Sequence, residues 1–171
     1  MKLNAALACL IALSSQAASS QEVAGVASES RDAASGFIGS MNFTVGRIAR
    51  DCLADLGRTE TPQQFAESWQ QRNTKYVVAA AEYIQARFNE ATAKGDDTKN
   101  TLLEELASVR RTAEGDLKGL YDKHGKDATC KRMTALIDGG AYDITPGVPM
   151  FKELEALSAW SQSHLKEQAT P

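Results

Sequence analysis

Few residues in this chain have the type and spacing for covalent chemistry. Its three cysteines are Cys9, Cys52 and Cys130, and its two histidines are His124 and His164. Cys9 lies inside an apolar run near the start. Cys52 and Cys130 stand too far apart in sequence for a redox Cys-x-x-Cys pair, and no His-x-x-x-His, Glu-x-x-His or Cys-x-x-Cys-His spacing occurs. Gly-x-Ser-x-Gly and phosphate-cradling glycine loops are absent too. The adjacent carboxylates Asp96-Asp97 and Glu104-Glu105 suit helix beginnings, where negative charge is favoured. They make a poor acid–base pair, since consecutive helical residues do not face each other. No catalytic residue, metal or cofactor is expected.

Binding is better represented. Phe65, Trp69, Tyr76 and Tyr83 recur at helical spacing, with Arg72 and Arg87 in the same arc and Asn73 near its middle. An aromatic seam of this kind packs as core in most helices, and an Asn within it fixes packing register by bonding a facing helix. A polar-tipped aromatic pocket formed by Trp69, Arg72, Asn73 and Tyr76 is the functional alternative. A second candidate is the small-residue stripe Ser108, Thr112, Gly115 and Gly119. Two glycines within a helix cost about 1 kcal/mol each relative to alanine. Close approach of a neighbouring helix would offset that cost, and a docking groove for a partner is the other reading. His124 and His164 read as boundary residues with an apolar body and a wet tip.

The elements that carry these residues are helices. Thr61-Pro62-Gln63-Gln64 is a capping-box start with proline at the first helical position. Gly95, Gly125 and Gly139-Gly140 are stops. Five helices are expected at about 36–57, 62–94, 97–124, 128–138 and 149–168, with an irregular segment at 139–148. No stretch alternates with period two long enough to argue for a strand. Ile38, Met41, Val45, Ile48, Cys52 and Leu56 share one face, as do Cys130, Met133 and Ile137. Both cysteines thus fall in apolar stripes, which predicts a Cys52–Cys130 disulfide. Leu102, Leu106, Val109, Ala113, Leu117 and Leu120 make a third seam. Arg110, Glu114, Lys118, Asp122 and Lys126 step by four with alternating sign, as an exposed ladder does.

Composition sets the limits. Of the 171 residues, 19 are Lys or Arg and 22 are Asp or Glu, a net charge of −3 that disfavours nucleic-acid binding. After position 17, 28 of 154 residues are Leu, Ile, Val or Phe, so the core is thin and rich in alanine. No apolar run is long enough to span a membrane. Residues 1–17 have the pattern of a secretory signal peptide: Lys2, an apolar Ala5–Leu13 stretch, and small residues before a cut near Ala17. Residues 18–35 are expected to be a flexible leader and 36–168 an all-α antiparallel bundle of four longer helices and one short one, stapled by the disulfide. The periplasm or the cell exterior would permit that bond. The expected function is a non-enzymatic protein-interaction module (inhibitor, immunity, chaperone or assembly type) acting on another protein of the envelope or exterior. A small-molecule-binding bundle using the Trp69/Asn73/Tyr76 face is the alternative, and an enzyme with an unrecognised site comes third.

Overall fold

The computed structural model describes residues 26–168, so the signal-peptide assignment and the first part of the leader lie outside the described residues. Six helices follow in order: α1 (Glu29–Cys52), α2 (Pro62–Arg72), α3 (Thr74–Lys94), α4 (Asp96–His124), α5 (Lys126–Asp138) and α6 (Phe151–Gln168). No helix among the described residues is long and apolar enough to cross a membrane.

Local chemistry sets most boundaries. Ser28 caps α1 by accepting the Arg31 N–H, and Glu29 and Asp32 sit in its positive first turn. Residues 29–35, expected in the leader, are therefore the first turns of α1. The Thr61–Gln64 capping box is formed, with Pro62 opening α2. Gly95 and Gly125 end α3 and α4 at φ 111° and 80°, backbone that a side chain would strain. The single helix expected at 62–94 is two helices. Asn73 ends α2 with φ −107° and ψ 19°, and α3 starts at the next residue. The reason lies outside the helix, in the 139–150 link described below.

The helix α1 is the centre of the molecule. From Ala34 to Cys52 only Arg50 is exposed, because α1 packs against all five other helices. Two core clusters meet on it. One contains Val45, Ile48, Phe65, Trp69, Leu117 and Ile137 around Cys52 and Cys130; the other contains Ile38, Tyr76, Ala80, Tyr83, Leu154 and Leu157.

Cys52 and Cys130 are bonded, with Cα atoms 5.3 Å apart, which ties α1 to α5. Closing a 78-residue separation stabilises the fold by about 4.5 kcal/mol in the chain-entropy model. Fully burying one Leu or Ile contributes roughly 1.5–3 kcal/mol, so the bond matches about two such side chains in a core that has few.

The disulfide-linked all-α bundle is present, but not every neighbouring pair is antiparallel. Gly36 lies near Val109, Arg47 pairs with Glu114, and Tyr121 donates to Asp51, so α1 and α4 run in the same direction. Lys75 meets Glu155 and Tyr83 meets Trp160, which makes α3 and α6 parallel as well. The α2–α3 segment separates the first pair and the α4–α5 segment plus the 139–150 link separates the second, so each chain returns to the same end before it packs.

Candidate functional site

The expected aromatic arc is a latch. Trp69 is fully buried and its Nε1 donates to the Tyr142 carbonyl at 3.0 Å. Asn73 is 3% exposed; its Nδ2 donates to the Trp69 carbonyl at 2.8 Å and to Asp143 Oδ1 at 3.2 Å, while its Oδ1 accepts the Ile144 N–H at 2.8 Å. Arg72 grips Asp143 with Nε and Nη2, at 2.8 and 3.2 Å, and donates to the Ile137 carbonyl at 2.6 Å. Thus α2 holds the 139–150 link through its buried face, and the partner that satisfies Asn73 is that link and not a facing helix.

Tyr76 turns the other way, donating to Glu155 Oε1 at 2.5 Å. Burial and that carboxylate push its phenol up to about 12. Lys75 and Tyr76 together hold Glu155 below the usual carboxylate range, with Lys75 the larger influence. The four residues of the arc are near one another in space, but Trp69 and Asn73 offer no surface to a ligand.

The small-residue stripe is exposed. A Cβ added at Gly115 or Gly119 would have no atom within 4 Å outside its own helix. The expected close approach of a neighbouring helix of the bundle is absent there, because α4 turns its opposite flank to α1. The glycines that admit a close neighbour are Gly36 and Gly39 of α1, where an added Cβ would lie 3.5 and 3.7 Å from the Val109 side chain.

Val109 and those glycines belong to a cleft of about 510 Å³ between α1, α3 and α4. Its walls are largely apolar: Phe43 from α1, Ile84 from α3, and Leu102, Leu106 and Val109 from α4. The α4 seam expected to be core is only partly covered. Leu102, Ala113 and Leu117 are buried, Leu106 and Val109 are half-buried in the cleft, and Leu120 is 37% exposed. At Gly36 and Gly39 the α1 wall is backbone alone, with Val109 facing it.

The two ends of the cleft differ in charge. At one end Arg87 bonds Asp32 and reaches Glu105 at 3.3 Å. Burial works against its charge, but the Tyr83 phenol and the two carboxylates outweigh it and keep Arg87 firmly protonated. Tyr83 donates to Asp32 at 2.9 Å and accepts the Ser28 N–H at 3.1 Å. Burial, assisted by Asp32 and opposed by Arg87, raises the Tyr83 phenol above its ordinary value.

At the other end Arg110 lies over the Phe43 ring, 5.6 Å from its centroid. The rung expected between Arg110 and Glu114 is not made. Glu114 crosses to Arg47 at 3.8 Å instead, and Arg110 has no ion pair among the described residues. Of the ladder's remaining members, Lys118 pairs with Asp122 and Lys126 with Asp55.

The histidines stand apart from this cleft. His164 stacks on Trp160 with centroids 4.8 Å apart, and His124 borders a smaller cavity of about 310 Å³ between α4 and α5, lined also by Leu120, Met133 and Leu136. No group of three or more His, Cys, Asp or Glu among the described residues is arranged to hold a metal ion. The residues around the larger cleft include neither cysteine nor histidine, and what they offer an occupant is apolar contact with polar groups at both ends.

Compared with protein-family models, curated proteins and solved structures, the chain matches none.

Proposed function

We propose that this is an exported, non-enzymatic binding protein whose working surface is α4 and the clefts beside it. The observation that carries the reading is the half-covered apolar seam of α4, where Leu106 and Val109 line a cleft of about 510 Å³. Cavities of roughly 300–1,000 Å³ suit small organic ligands, which favours a small molecule as occupant. The site is displaced from the Trp69/Asn73/Tyr76 arc, whose interior is occupied by the 139–150 link. The buried disulfide is compatible with an oxidising compartment.

Mass spectrometry of an organic extract of the protein purified from its native compartment tests this. A defined small molecule should accompany the wild type and be missing from Leu106→Trp, whose larger ring enters the cleft. An extract without such a molecule, or one unchanged by the substitution, counts against the cleft.

The second reading is a protein-interaction module at the C-terminal end of the same α4 seam, where α4 meets α5. Leu120, with Met133 and Leu136 beside it, favours this, because it is a large apolar side chain left at a concave junction of two helices. A photo-crosslinking residue at position 120 should then yield one defined protein adduct, and diffuse labelling would oppose it.

A further inference from the structure

We propose that the occupant of the α1/α3/α4 cleft is a single-chain anionic amphiphile, its tail along Gly36, Gly39 and Val109 and its carboxylate at Arg110. This rests on the cleft being the binding site and adds the chemistry of what fills it.

Three features converge on that class. The walls contributed by Phe43, Ile84, Leu102, Leu106 and Val109 are apolar, so a tail gains by leaving water. The glycines give the tail a smooth backbone surface on the α1 side, with Val109 in ordinary contact range of where a Cβ would stand. The ends discriminate by charge. Arg87 is engaged by Asp32 and Glu105, leaving that end with one more carboxylate than cations. Arg110 lies over the Phe43 ring with no carboxylate in ion-pair range among the described residues, Glu114 being turned to Arg47, so its guanidinium is open to an anion and that end lacks the excess of carboxylate found at the other.

An anionic head is therefore repelled from the Asp32/Glu105 end and attracted to the Arg110 end, which sets one orientation. Leu102 and Arg110 are eight residues apart on α4, or about 12 Å at 1.5 Å per residue, the span of a chain of about ten carbons. A peptide would bring backbone N–H and C=O groups into walls that offer them few partners, at a cost in desolvation.

Three ligands with the same tail and different heads test the assignment: decanoate and decyltrimethylammonium below their micellar concentrations, and decan-1-ol below its solubility limit. Isothermal titration of the full chain with its disulfide intact gives affinity, and backbone-amide shifts give location. Decanoate is expected to bind one to one, about two- to fivefold tighter than decan-1-ol, because one solvent-accessible charge pair adds only modestly to tail burial. The cationic ligand should be weakest. Shifts should centre on Gly36, Gly39, Ile84 and Val109.

Arg110→Glu should abolish the preference for decanoate over decan-1-ol, and Arg110→Lys should retain it. Equal binding of the three ligands, preference for the cation, or a preference that survives Arg110→Glu overturns the anionic assignment while leaving the cleft as a binding site. Absence of binding by all three, or shifts centred elsewhere, overturns both.

Discussion

Asn73 Oδ1 accepts the backbone N–H of Ile144 at 2.8 Å, so the residue that divides α2 from α3 also anchors the link leading into α6. Removing this side chain strands a half-buried N–H and deprives Asp143 and the Trp69 carbonyl of a donor. Asn73→Ala should lower unfolding stability by about 1–3 kcal/mol, measured as a shifted urea midpoint with an unchanged slope. A shift within about 0.5 kcal/mol would show that Trp69 and Arg72 hold the link without Asn73.

The disulfide should dominate the response to reductant. Reduction, or Cys52→Ala with Cys130→Ala, should cost about 4.5 kcal/mol if strain is small, and quantitative thiol titration of the denatured, unreduced mature protein should find neither cysteine free. Two free thiols would remove the cross-link from the account.

Gly115→Ala and Gly119→Ala should each stabilise the protein by about 0.5–1 kcal/mol, since both positions face open space and alanine is the better helix former. Sequence periodicity alone points the other way, towards crowding. Thermal unfolding decides the sign, and a fall in Tm would reveal a neighbour that the isolated chain does not contain.

Alkaline pH should destabilise the fold in a defined window. Tyr76 and Tyr121 are both raised to about 12, by burial first and then by Glu155 and Asp51 respectively. A phenol whose folded pKa exceeds its unfolded value near 10 stays protonated longer in the native state. The unfolded chain therefore releases protons first, and stability is lost progressively from about pH 10 towards 12. Urea midpoints across that range should fall, and Tyr76→Phe should flatten part of the decline. At the acid end Glu155, held low by Lys75 and Tyr76, acts in the opposite sense: its contribution is present above the ordinary carboxylate range and fades as pH drops through its lowered value.

Much of the fold was legible along the chain because it depends on neighbours in sequence. The capping box at Thr61, the stops at Gly95 and Gly125, and the apolar faces carrying Cys52 and Cys130 are all set within a few residues. Those faces follow from the 3.6-residue period, and two cysteines on two inward stripes leave little choice of pairing. The candidate cleft was harder to see for the opposite reason. How far Val109 is covered depends on what α1 places opposite it, and Gly36 and Gly39 place only backbone there.

Asn73 shows the same division within a single side chain. Its position in an apolar arc required a hydrogen-bond partner, which its own neighbours made plain. That the partner is Ile144, 71 residues away, and that meeting it breaks a helix, only the tertiary structure decided. Helical periodicity records which side of a helix turns inward. It carries no record of which distant segment arrives, or of the gap left where none does.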